Sequence, residues 1–299
     1  MGWLIAATVT VGPAHFPAWS PHPDVWLLVA LIGAAYALAV ARLGPVSAPD
    51  PLHVVTRRQV TAFCLGLLTV WIASDWPVHD VAEKSLYSVH MAQHMAFTFV
   101  AAPLLLLGTP AWMARRILGP RWLFGSVRWL CRFFPAVVVY NLVLVLAHWP
   151  AVVDLTLENG LAHFVAHSII LVSALIVWMP VFSPVPEIPR FAPMLAMFYL
   201  FLQSIMPTVP ASFLTLGTSP LYKVYERVPQ LYGLTTVGDQ RIAGLEMKIG
   251  GGLLIWMVIG ILFFRWASDE ERKERDSAAK RPSRHAVDRE LSQMELTNG

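Results

Sequence analysis

The sequence predicts an all-α, polytopic membrane helix bundle of about seven transmembrane helices, with the N-terminus outside and the C-terminus inside. Three observations lead there. Of 299 residues, 56% are hydrophobic and only 14% are charged, whereas a soluble domain carries about 25% charged residues. The apolar residues collect in blocks that approach or exceed the roughly 18 residues a helix needs to cross about 30 Å of hydrocarbon. The basic residues fall almost entirely in alternate connections between those blocks, and that bias orients membrane helices.

The blocks give spans at 25–42, 58–74, 86–107, 134–149, 161–182, 191–216 and 242–266. Span one is uncharged until Arg42, and span two runs from Arg58 to the residue before Asp75. Span three contains Pro103, and span six contains Pro207 and Pro210. Such prolines are tolerated because neighbouring helices re-satisfy the freed backbone groups. Span four is the shortest, span five has no charge, and span seven carries Glu246 and Lys248 near its start.

Arg42, Arg57 and Arg58 follow span one, and Arg115, Arg116, Arg121, Arg128 and Arg132 follow span three. With Arg190 and the C-terminal tail, 17 of the 22 basic residues lie on that side; Lys84, Lys223, Arg227 and Arg241 lie opposite, and Lys248 lies within a span. The richer side is expected to be cytoplasmic. Residues 1–24 are then an extracytoplasmic N-terminal segment, and residues 25–266 form the transmembrane domain. The apolar start lacks the basic residues of a signal peptide and reads as part of the mature chain. Residues 267–299 are polar and mixed in charge, and are expected to be a disordered cytoplasmic tail. The longest outer connection, 217–239, sets Tyr222, Tyr225 and Tyr232 among charges, as an interfacial stretch would. Cys64 and Cys131 make neither a disulfide framework nor a CxxC pair. The net charge of +3 leaves no nucleic-acid footprint.

Ten histidines occur. His90 and His94 occupy the first two turns of span three, and His163 and His167 those of span five. An i, i+4 spacing stacks two rings on one helical face about 6 Å apart, so two pairs at equal depth can form a four-nitrogen cage. His148 ends span four and His79 precedes span three. A lone histidine near a helix end is commonly an interfacial amphiphile, which is the reading for His79 and one of two readings for His148. His15, His22, His53 and His285 read as surface residues. The matched pairs differ: ionisable groups inside a membrane are rare and mark function, and neutral imidazole ligates copper, zinc or iron. Met206 and Met247 fall at the same depth, where thioether plus imidazole suits copper, although methionine is also ordinary core filler. Gln93, Asp239 and Gln240 are further polar candidates at that level. Lys248 reads as a snorkelling side chain, and Glu246 is left without a role.

HMAQHMAFTFVAAPLLLLGTP at 90–110, AHWP at 147–150, the His163–His167 pair and DQRIAGLEM at 239–247 resemble the seven-helix CtaG family, assembly factors of caa3-type cytochrome c oxidase. The likeness covers about residues 25–266. It implies a non-enzymatic factor of the bacterial plasma membrane that is required for active haem–copper oxidase and acts at a copper centre. Its implied partners are oxidase subunits and the lipid bilayer, with no nucleic acid. An outward-facing imidazole site with a copper ion as cargo agrees with that implication.

Other classes remain. A single-haem b-type cytochrome would take one histidine from each of spans three and five as axial ligands. Di-iron hydroxylases need more histidines, some in HxxHH clusters, and this chain has no adjacent His-His pair. A carrier site is expected near the midplane between repeats, whereas the polar residues here gather at one leaflet and no repeat is visible.

Overall fold

The computed structural model describes residues 15–228 and 230–280. Among them the fold is all-helical, without a strand. Six helices are long and apolar enough to cross a membrane: Pro23–Ser47, Arg57–Lys84, Tyr87–Gly108, Gly160–Phe182, Pro193–Leu216 and Thr236–Ser277. They correspond to spans one, two, three, five, six and seven. Helices Arg121–Leu130 and Phe133–Ala147 meet at 87° and supply span four if the bent pair is counted as one crossing. The helix starts follow from local chemistry. Thr56 and Gln59 form a reciprocal capping box before span two, Asn159 caps span five and Thr235 caps span seven, each satisfying backbone donors that have no partner in the first turn.

Span three lies at the centre, packed between spans two and five, and its first turns meet the first turns of span seven. Spans six and seven pack along much of their length, and span one touches chiefly span two. Close approaches depend on small residues, as in other membrane bundles. A Cβ at Gly108 would stand 2.4 Å from the Phe63 backbone nitrogen, and the Gly108 carbonyl accepts a 3.0 Å hydrogen bond from the Tyr36 hydroxyl. Polar side chains tie helices together: Trp178 Nε1 donates to the Thr98 carbonyl at 2.7 Å, and Asn141 Nδ2 to Gln203 Oε1 at 2.7 Å. Leu31, Leu68, Phe164, Val172, Phe201 and Leu253 are exposed around the bundle, an apolar girdle of the kind a bilayer covers.

The bundle has two unlike ends. Spans three, five and seven begin at a histidine end, where Tyr87, Met91, Leu214, Tyr222, Tyr225 and Met247 are packed together. At the opposite, arginine end, Arg115 Nε meets Glu187 Oε1 at 2.7 Å, and the guanidinium holds that carboxyl below the ordinary glutamate range.

Three features depart from the sequence reading. The last helix does not end at Trp266 but runs on to Lys280, so residues 268–280 are helical; the rest of the expected disordered tail lies outside the described residues. Charge spacing explains the extension, because Glu271–Arg275 and Glu270–Lys273 pair at 2.5 and 3.2 Å on neighbouring turns. Tyr222 and Tyr225 are not interfacial but buried, and only Tyr232 of the three is exposed. Spans three and seven are also interrupted by wider π-helical turns, Ala96–Ala101 and Glu246–Gly250. A π-turn adds a residue to the helical repeat and re-aims its flanks, often at functional sites. Each interruption packs against the flank of the other: a Cβ on Gly250 would lie 3.0 Å from Met95 Cε, and one on Gly251 3.4 Å from Phe99.

Candidate metal centre

The i, i+4 spacing within spans three and five puts each histidine pair on one face, and the packing of the two helices turns the faces together. Span three has no side-chain cap of its own. Asp239 of span seven supplies one, accepting from the backbone N–H groups of Tyr87 and Ser88 at 2.6 and 3.1 Å and from the Ser88 hydroxyl at 2.5 Å. A carboxylate there also meets the positive end of the helix dipole. This bond set locks the start of span three, and with it the height of His90 and His94, against span seven.

Ring centroids are 4.3 Å apart for His90–His94, 4.1 Å for His163–His167, 4.9 Å for His94–His167 and 5.8 Å for His90–His163. The four rings are one cluster, as the spacing predicts. They do not form a single cage. One potential ligand nitrogen from each of His90, His94 and His167 lies within 4.8 Å of the others, whereas His163 groups with His79 and Glu83 under the same limit. Within the first trio, His94 Nε2 and His167 Nε2 are 3.1 Å apart. Two imidazoles bound at about 2.0 Å to one tetrahedral ion hold their nitrogens about 3.3 Å apart, so this approach suits a shared ion as well as a single N–H···N bond.

His148 belongs to the same region. Its Nδ1 lies 2.7 Å from the Leu144 carbonyl, while its Nε2 is buried with no hydrogen-bond partner among the described residues, as are His90 Nδ1 and both ring nitrogens of His163. A small cavity of about 40 Å³ is lined by His94 and His148 together with Met91, Met95 and Met247. Space of that order accommodates little more than one small solvent-sized body. Of the two methionines singled out from sequence, Met247 reaches this cavity, whereas Met206 does not line it and is 40% exposed. Sequence reasoning missed Met91 and Met95. The signal was present, because HMAQHM sets a methionine directly after each histidine of span three.

Gln93 turns away from the rings and donates from Nε2 to the Ala73 carbonyl at 2.6 Å, tying span three to span two. Gln240 accepts from the Leu221 N–H at 2.6 Å and donates to the Leu214 carbonyl at 3.2 Å, pinning the connection between spans six and seven. Asp239 is the cap described above. All three contacts position the site. Lys248 is exposed on the side of span seven.

His22 and His79 are corrections. His22 is not a plain surface residue and His79 is more than an interfacial amphiphile: His22 Nε2 lies 2.7 Å from Asp80 Oδ2, and its ring stacks edge-on to His79 at 5.0 Å. His79 in turn lies 5.3 Å from His163. The histidines thus continue as a file of rings from the N-terminal segment to the trio. Over them folds the connection between spans six and seven. Tyr225 donates to the Ala82 carbonyl at 2.8 Å, Tyr222 to the His148 carbonyl at 3.1 Å, and Tyr87 to the Tyr222 hydroxyl at 3.3 Å. Burial pushes the Tyr222 hydroxyl up to about 12, so it remains a protonated donor at any physiological pH.

No curated protein and no solved structure matches the chain. A family model described as cytochrome c oxidase caa3 assembly factor matches residues 34–269. That range takes in every ring of the cluster except His22, together with the methionines of the cavity and the Asp239 cap. The chain therefore belongs to the caa3-type cytochrome c oxidase assembly factor (CtaG) family.

Proposed function

We propose that this protein serves oxidase assembly by holding a copper ion at His90, His94 and His167 and releasing it to an oxidase subunit. The observation that carries the proposal is the trio of buried His90 and half-buried His94 and His167, whose ligand nitrogens lie within 4.8 Å of one another beside a cavity lined by thioethers. Imidazole and thioether together form a borderline-to-soft donor set that favours copper. His148 Nε2 and the sulfurs of Met91, Met95 and Met247 are the candidates to complete or receive the coordination. Copper is here a cargo, and no covalent step is required of the protein.

The basic-residue asymmetry supports a bacterial plasma-membrane orientation with the histidine end outside, where copper arrives and where the receiving subunit would dock. The haem alternative gains less from the geometry. A porphyrin between His94 and His167 would have to open their 3.1 Å approach and occupy far more space than the 40 Å³ beside them.

The test is metal analysis and a visible spectrum of the full chain purified in mild detergent. Copper without a haem band is expected. His94→Gln and His167→Gln keep hydrogen-bonding capacity but offer poor ligands, so both are expected to insert normally, lose the copper and give membranes without oxidase activity. Normal copper content and activity in both variants would overturn the proposal.

A further inference from the structure

His79 and Glu83 lie one turn apart on the short helix Val78–Lys84 and so share a face. That face meets His163 of span five. Glu83 reaches the two imidazoles with different oxygens: Oε2 lies 3.5 Å from His79 Nε2, and Oε1 3.0 Å from His163 Nδ1. One ligand atom from each of the three residues lies within 4.8 Å of the others. We propose that His79, Glu83 and His163 form a second metal site, separate from the imidazole trio, that takes a divalent first-row transition ion.

An ion pair alone leaves this arrangement unexplained. The 3.0 Å approach of Glu83 to His163 is not aligned as a hydrogen bond, and His79 Nδ1 and both His163 nitrogens are buried without a hydrogen-bond partner among the described residues. Buried polar atoms are ordinarily satisfied, and an ion would use these lone pairs. Two imidazoles and a carboxylate form an established donor set for divalent ions, with a fourth position open for exchange. The neighbouring carboxylate does not compete, because Asp80 is already engaged by His22 at 2.7 Å and by Lys84. His22 meets the His79 ring edge-on at 5.0 Å, which brings the N-terminal segment beside the site.

The position gives the site its use. The His163 ring lies 4.1 Å from His167 and 5.8 Å from His90, so an ion leaving this site can exchange one ligand at a time into the trio. Only this transfer step rests on the copper-handling reading; the ligand set does not.

The experiment is equilibrium dialysis of the full chain in mild detergent against Zn(II) after chelator stripping. Two equivalents are expected in the parent protein. Glu83→Gln and His79→Gln should each weaken one equivalent on the order of ten-fold or more, and His94→Gln should remove the other equivalent while sparing this one. Wild-type Zn(II) binding in both Glu83→Gln and His79→Gln would overturn the second site. If the only loss is in His94→Gln, the second site fails and the trio stands. If the only loss is in the His79 and Glu83 variants, the trio fails and the second site stands. Should Glu83→Gln fail to accumulate, His79→Gln, which removes a neutral ligand and no charge, decides.

Discussion

An imidazole inside a helix bundle must satisfy two ring nitrogens, and each one left unmet and buried destabilises the fold by about 1–3 kcal/mol. His148 meets half of that demand through the Leu144 carbonyl and leaves Nε2 open. Its cavity is otherwise lined largely by apolar side chains and thioethers, so the open nitrogen and the sulfurs are one chemical question. Met247→Leu is expected to weaken Cu(I) binding by roughly ten-fold, because leucine fills the space but offers no sulfur. Met206→Leu should change nothing, since that side chain does not line the cavity. Competition with a Cu(I) chelator distinguishes them, and equal affinities for the two variants would remove Met247 from the ligand set. The four central histidines were legible from spacing alone, because i, i+4 pairing is a local property. The roles of His22 and Glu83 were not. Their partners lie on other elements, Asp80 being 58 positions from His22, and no period in the sequence encodes such contacts.

The connection between spans six and seven looks in sequence like a polar loop yet behaves as a fitted cover. Tyr222 and Tyr225 place their rings under it and their hydroxyls on backbone carbonyls of other segments. Tyr222→Phe removes one donor and leaves the His148 carbonyl without its partner, at a cost of about 1 kcal/mol. The open form of the cover should then be roughly five-fold more populated. Lys223 and Arg227 are exposed on this segment, so the variant should be cut there several-fold faster by trypsin in detergent. An unchanged cutting rate would mean that the hydroxyl does not hold the segment down. Helix positions were readable because an apolar run crossing hydrocarbon must be helical. The π-turns beside His94 and Met247 were hidden, since one extra residue in a turn leaves the apolar run intact.

The two ends of the bundle differ in chemistry. The ring cluster and the fitted cover gather at one end, most of the arginines at the other, and apolar side chains surround the middle. Under the copper-handling proposal, orientation therefore decides which compartment would supply the ion. In a background lacking Cys64 and Cys131, Glu226→Cys should react with an impermeant thiol reagent in intact cells, and Arg121→Cys should react only after lysis. The reverse pattern would turn the bundle over and place copper delivery inside. Composition sufficed to recognise the membrane class, because few soluble folds carry so little charge. It could not reveal that the final helix carries its charged residues onward to Lys280 as paired turns.

The bend in span four has a consequence for the surrounding lipid. Phe133–Ala147 contains 15 residues, or about 22 Å of helix, against about 30 Å of hydrocarbon. The preceding helix, Arg121–Leu130, turns aside at 87° with Trp122 and Trp129 exposed, an arrangement suited to lying along the headgroups. If Phe133–Ala147 crosses the bilayer, hydrophobic mismatch would draw the two leaflets together beside His148, where span four ends, and would bring water nearer the rings than the longer helices suggest. Such thinning is resisted by long acyl chains at a fraction of a kcal/mol per ångström. Copper loading in reconstituted vesicles should accordingly be faster in short-chain than in long-chain phosphatidylcholine. Equal loading rates across chain lengths would show that the ion reaches the rings without help from a deformed bilayer.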